Sequence, residues 1–178
     1  MGERGSDRSL RTRYAPVSGV PVAWPEAFGT RFTIFVDTEE EFDWAGPFRR
    51  DDHGTAHMAA MPAAHARFAA HGAPLTWLID YPVAACERSV EILRDLMTDG
   101  RSAIGTQLHP WVNPPFDEAL STYNSFAGNL PIELERAKLL ALTARIETAF
   151  GTRPRVYRAG RYGIGPSTLG LLRTLGYL

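Results

Sequence analysis

Cysteine is almost missing from this sequence. Cys86 is the only one in 178 residues, which excludes an intrachain disulfide and a cysteine metal cluster. Its surroundings, VAACERSV, read as a packed helical thiol. Long apolar runs are missing too. No segment holds the ~18 consecutive apolar residues of a membrane span, and no apolar stretch follows the N-terminal arginines as a secretory signal requires. A soluble cytoplasmic protein is the expectation. There is no excess of one charge: a net charge of −1 and a pI near 6.5 leave no electrostatic footprint for nucleic acid or an anionic membrane, although Arg4, Arg8, Arg11 and Arg13 make the start locally basic. Solenoid repeats and low-complexity tracts are absent. The oligomeric state is not legible.

What remains is enough for one packed domain, with 44% hydrophobic residues and 11% aromatics. Residues 1–30, with Pro16, Pro21 and Pro25, read as a tail and lead-in, and residues 31–178 as the domain. RFTIFVD is a short β-prone run compatible with a strand covered on both faces. TAHMAAMPAAHARFAAHG favours helix, kinked or delayed by Pro62 and stopped by Gly72. APLTWLID reads as a second strand and VAACERSVEILRDLMTDG as one amphipathic helix ending at Gly100. SAIGTQLHPW is a third strand, cut off by Pro110, Pro114 and Pro115. Residues 131–150 form the clearest helix, with Pro131 in its first turn and Gly151 as its stop. RVYRAG is a fourth strand, and a last helix runs from near Ser167 to Gly176.

Strands alternating with helices predict an α/β fold with a parallel sheet, either doubly wound or a (β/α) barrel. Four strands cannot close a barrel, so the chain is expected to hold only part of one. Both architectures carry their active residues at the C-terminal ends of the strands. Asp37 and Glu39 then end the first strand, Gln107 and His109 the third, and Arg158 and Arg161 the fourth, all on one rim. Two oxygen ligands with an imidazole suit a divalent metal such as zinc, manganese or cobalt. Blander readings stay open. The acidic run Asp37, Glu39, Glu40, Glu41 and Asp43 also fits a charged surface loop, and His109 a hydrogen-bonded loop histidine. The arginines also fit simple neutralisation of buried charge. His53 and His57, four residues apart, fit a metal pair or, better, a polar loop. Trp77 reads as core.

In order, FTIFVDTEEEFDW, AIGTQLHPW and YRAGRYGIGPSTLGLLRTLGY resemble the polysaccharide deacetylase (NodB homology) family from about Phe32 to Tyr177. The resemblance implies a distorted (β/α) barrel and a metal-dependent hydrolase that removes N-acetyl or O-acetyl groups from a polysaccharide or cell-surface sugar. Asp37 stands where the family has its catalytic base. Thr38 falls where the family's metal-binding aspartate would be, which shifts that role to Glu39. Ile104, Gly105, His109 and Pro110 match the second motif, with Gln107 in the place of its first histidine. Glu39, His109 and Gln107 are thus the implied metal set, Arg158 orients Asp37, and Arg161 substitutes or assists. Trp44, Trp111 and Tyr162 are candidate sugar contacts, although rim packing explains the tryptophans equally well. The family's general-acid histidine lies beyond these motifs. Two other functions compete: a carbohydrate-binding or regulatory domain without metal, suggested by Gln107, and a glycosidase using two carboxylates directly.

Overall fold

The structure, a computed structural model, describes residues 23–51 and 53–178. The basic N-terminal arginines, Pro16 and Pro21 lie outside the described residues. The chain divides into two units, Met1–Phe32 and Thr33–Leu178. In the first, Trp24 stacks on Phe28 over a single 3-10 turn, Glu26–Phe28.

The second unit holds β1 (Ile34–Thr38), α1 (Met61–Ala69), β2 (Leu75–Ile79), α2 (Tyr81–Ala85), α3 (Glu87–Leu96), β3 (Ala103–Leu108), α4 (Ile132–Phe150), β4 (Tyr157–Ala159) and α5 (Thr168–Thr174). All four strands run parallel in the order β1-β2-β3-β4. Parallel pairing follows from the helical crossovers, and it puts every strand's C-terminal end on the same rim. The sheet is a curled half-barrel. Asp37 on β1 and Arg158 on β4 touch at 2.5 Å, yet two strands separate them, and in a flat sheet their backbones would stand about 14 Å apart at ~4.8 Å per strand.

The core lies between the sheet and the helices: Leu75, Trp77 and Ile79 of β2, Leu108 of β3, Leu93 of α3, and Leu139, Leu142 and Ile146 of α4 are all buried. Gly105 explains how β3 packs so closely, since a Cβ there would meet Leu78 Cδ2 and the Val156 carbonyl oxygen. Gly151, at φ +68°, ends α4 by donating its N–H to the Glu147 carbonyl. Among the described residues no helix is long and apolar enough to cross a membrane.

Three expectations shift. β1 is covered on one face only. Ile34 and Val36 pack on the core while Phe35 is 42% exposed, because β1 is an edge strand of an open sheet. The helix expected after β2 is two helices. Asp80 caps α2 through the Val83 N–H, and the chain then becomes extended at Cys86 (ψ 114°) before α3 starts. Pro131 is the N-cap of α4 rather than part of its first turn.

The loop after β3 is riveted from beneath. Lys138, the only lysine of the sequence, is fully buried on α4. Its ammonium donates to the carbonyls of Pro110, Asn113 and Pro115 and lies 3.1 Å from the Glu118 carboxylate. Asn113 returns a bond through Nδ2 to the Lys138 carbonyl. Burial pulls the lysine below its usual range, against Glu118, which pushes it up. This loop begins at His109, so its anchoring sets where the imidazole stands.

Candidate active site

Because the strands share one rim, residues far apart in sequence meet there. A cavity of about 150 Å³ is lined by Asp37, Glu39, Trp44, Gln107, His109, Arg158, Arg161 and Tyr162. That volume is the liquid share of about five waters at ~30 Å³ each, room for an acyl group rather than a sugar ring. It contains eight of the nine residues singled out above; Trp111 is the exception. Among the described residues two larger cavities lie elsewhere, the larger of them between the 50–55 loop, α2 and the 112–116 loop.

Asp37 Oδ1 accepts from Arg158 Nη1 at 2.5 Å, so the arginine at the end of β4 holds the aspartate at the end of β1. Glu39 Oε2 accepts from Gln107 Nε2 at 2.6 Å and stands 3.2 Å from His109 Nε2. His109 is buried at 1% exposure, and its Nδ1 lies 2.7 Å from Glu40 Oε2. Gly160 makes room for this imidazole: a Cβ there would overlap both the Leu108 carbonyl oxygen and His109 Cδ2. Gly160→Ala is therefore expected to displace His109 from Glu39 and lower both the melting temperature and any activity of this site, while Gly170→Ala, on the open face of α5, leaves both intact. Side-by-side assays with melting curves check this.

The acidic run now divides by role. Glu40 is buried and bound to His109, and its own N–H is held by Asp80 Oδ2 at 2.6 Å. Glu41 fastens the neighbouring loop through the His57 N–H. Asp43 accepts from the Ala45 N–H in a local turn. Glu40 and Asp80 were missed by sequence reasoning. The available signal was Asp80 itself, an acid ending the second strand as Asp37 ends the first; the register Thr38↔Ile79 brings the two strand ends together.

Electrostatics tie the group into one unit. Burial opposes a charge on His109, but the Glu39 and Glu40 carboxylates outweigh it and raise its pKa to about 10. Burial raises Asp80 well above the usual carboxylate range, reinforced by Glu40. Glu40 is itself lowered: bonding to Asp80 and His109 overcomes its burial. These shifts favour the neutral form of Asp80, the ionised form of Glu40 and the charged form of the imidazole.

Two predicted contacts sit differently. Trp111 is 1% exposed, with His109 stacked at 4.4 Å and Phe42 and Phe48 against it, so it offers no face to a sugar and serves as rim packing. Arg161 lines the cavity, but its Nη1 donates to Ser125 at 2.7 Å and its guanidinium lies over Phe126, Phe48 and Trp44; Arg158 alone bonds Asp37. Trp44 and Tyr162 are 56% and 79% exposed at the rim. Arg161 and Tyr162 both have positive φ, 54° and 55°, a sparsely populated conformation for such residues. His53 lies on the larger of those two cavities and His57 against Glu41, so the two form no pair at this rim.

Do these residues fit a metal ion? His109 Nε2 is buried without a hydrogen-bond partner, as is Gln107 Oε1. Two ligand atoms of one tetrahedral zinc stand about 3.3 Å apart, and Nε2 and Glu39 Oε2 are 3.2 Å apart. A half-turn of the Gln107 amide would bring an oxygen to Glu39 as a third donor. The Nδ1 bond to Glu40 is the support that metal-binding histidines ordinarily have. The donors fit. On the other side of the ring, Glu40, Asp80 and His109 form a buried group with ligand atoms all within 4.8 Å of one another, a second set that could hold a cation.

No known family profile matches this sequence, and no curated protein does. In three dimensions the chain is similar to a Mycobacterium smegmatis protein of known crystal structure, provisionally named a polysaccharide deacetylase. The TM-score is 0.55 and the identity 20%, over 89% of this chain and 53% of that one. The fold is therefore polysaccharide deacetylase-like, and the chain spans about half the length of that relative.

Proposed function

We propose that this fold serves a metal-dependent hydrolase that removes acetyl groups from a carbohydrate. The observation that carries the reading is the meeting of Asp37, Glu39, Gln107, His109 and Arg158 on one small cavity at the ends of β1, β3 and β4. His109 Nε2, Glu39 Oε2 and the Gln107 amide are the residues to hold the ion. When bound, a divalent cation supplies Lewis acidity toward water and toward an acyl carbonyl. Zinc, cobalt and manganese all accept this mixed nitrogen and oxygen set.

The chain's own groups do the rest. Arg158 occupies Asp37 Oδ1, leaving Oδ2 to take the proton of an attacking water. Glu40 keeps the His109 Nδ1–H engaged, so that Nε2 faces the cavity. Trp44 and Tyr162 offer apolar ring faces on which a sugar can lie.

The test is acetate release from N-acetylglucosamine oligomers by protein purified without chelators, with the bound metal quantified. Asp37→Asn is expected to lower turnover about 10²–10⁴-fold, the usual worth of a general base, and to leave the melting temperature within a few degrees. Normal turnover in that variant would remove Asp37 from the mechanism. Carbohydrate binding with neither stoichiometric metal nor acetate release would instead establish a binding domain. Glycosidic cleavage insensitive to chelator would establish a glycosidase.

A further inference from the structure

We propose that Asp80 is a positioning residue for this site: one buried carboxylate at the end of β2 starts α2 and also holds the backbone of Glu40, so that the Glu40 side chain grips His109 Nδ1 and turns Nε2 to the cavity. The proposal rests on the reading above that Nε2 is the ligating nitrogen.

Each link is a bond in the structure. Asp80 Oδ1 accepts from the Val83 N–H at 2.9 Å, which caps α2. Oδ2 accepts from the Glu40 N–H at 2.6 Å. Glu40 Oε2 then meets His109 Nδ1 at 2.7 Å. Asp80 is 0% exposed and His109 1%, so neither group has water as a substitute partner, and a broken link stays broken. The chain Asp80, Glu40, His109 crosses from β2 to the loop after β1 and on to the end of β3, a buried link just past the ends of the sheet ladders that join these strands and beside the Glu39–Gln107 bond.

The same bonds argue against Asp80 as a ligand. A cation between Asp80, Glu40 and His109 Nδ1 would meet oxygens already facing two N–H donors, which repel it. Oδ2 is also 4.0 Å from Nδ1, and Nδ1 is committed to Glu40. The outer side of the ring carries the converse arrangement, a buried nitrogen without a hydrogen-bond partner, 3.2 Å from the Glu39 carboxylate oxygen.

Asp80→Asn isolates the link. Asparagine caps helices about as well as aspartate, so its oxygen keeps the Val83 N–H, while its NH₂ faces the Glu40 N–H, donor against donor. In the metal-free protein, amide exchange at Glu40 is expected to accelerate about tenfold or more relative to Val83, the worth of one buried hydrogen bond. Zinc affinity is expected to fall about 10–100-fold, as for other supporting partners of metal ligands. The cobalt-loaded protein is expected to lose its sharp, exchangeable Nδ1–H proton signal from His109.

Unchanged Glu40 exchange with zinc affinity within about twofold of the parent would overturn the proposal and leave Asp80 as a helix cap only. A loss of zinc binding as complete as that of His109→Ala would also overturn it, making Asp80 a ligand. If Asp80→Asn does not fold, Asp80→Ser, which retains a cap but is too short to reach Glu40, takes its place under the same criteria. Failure of the unsubstituted protein to bind metal would sink the hydrolase reading instead, and the exchange comparison would still decide what Asp80 does.

Discussion

Lys138→Met is expected to be among the most damaging single changes, lowering stability by about 3–5 kcal/mol, as when one member of a buried ion pair is removed. Methionine fills much of the lysine's volume, so the loss is not a cavity effect. It leaves the Glu118 carboxylate buried with only Arg50, 4.0 Å away, as a cation, and removes the lysine donor from three backbone carbonyls. The double variant Lys138→Met with Glu118→Leu separates the two contributions. It removes the stranded charge but not the stranded carbonyls, so it is expected to recover only part of the loss, each buried carbonyl costing about 1–3 kcal/mol. Full recovery in urea melts would mean that the ion pair alone mattered. The proposed activity is expected to fall further than stability explains, because the carbonyls belong to the loop that opens with His109.

The second large effect is an alkaline loss of stability in the metal-free protein. His109 has its pKa raised to about 10, from 6.5. A group raised on folding contributes stability that is complete below the unfolded value and fades as pH climbs through the folded one. Chelator-treated protein is therefore expected to weaken steadily between about pH 6.5 and 10. Asp80, also raised, acts in the same direction. Glu40, lowered, acts on the acid side, where its contribution disappears as pH falls below about 4.5. The whole alkaline change is on the order of a few kcal/mol, or roughly 10 °C in melting temperature for a domain of this size. His109→Gln is expected to flatten it. So is saturating zinc, which on the proposed ligation would take the place of the proton on Nε2 and release it on binding. A stability profile of the metal-free protein that stays level to pH 10 would show that the imidazole is neutral in the folded state.

The strands and helices were legible because their signals are local. Apolar runs, helix-stopping glycines and the prolines after LH marked every strand and nearly every helix. The rim residues were legible for a related reason: in a parallel sheet, order along the chain is enough to bring Asp37, His109 and Arg158 to one edge. What escaped depends on distances across strands. Glu40 looked interchangeable with Glu39 and Glu41, and only the approach of Asp80 and the burial of His109 separate them. Trp111 looked like Trp44 because both follow a strand end. Its burial comes from Phe42 and Phe48, supplied by another loop. Lys138 sat unremarked in an amphipathic helix, since nothing in ERAKLL announces that its face will lie under a loop of prolines.

The contact between Asp37 and Arg158 is a chord drawn across the arc of the sheet. Its length reports curvature. Any influence that relaxes the arc by a few ångströms would part Asp37 from Arg158 while every helix stayed folded, so the proposed hydrolysis should fail before the protein melts. A shape that came from strand twist and crossover helices would in that sense be a working part of the chemistry.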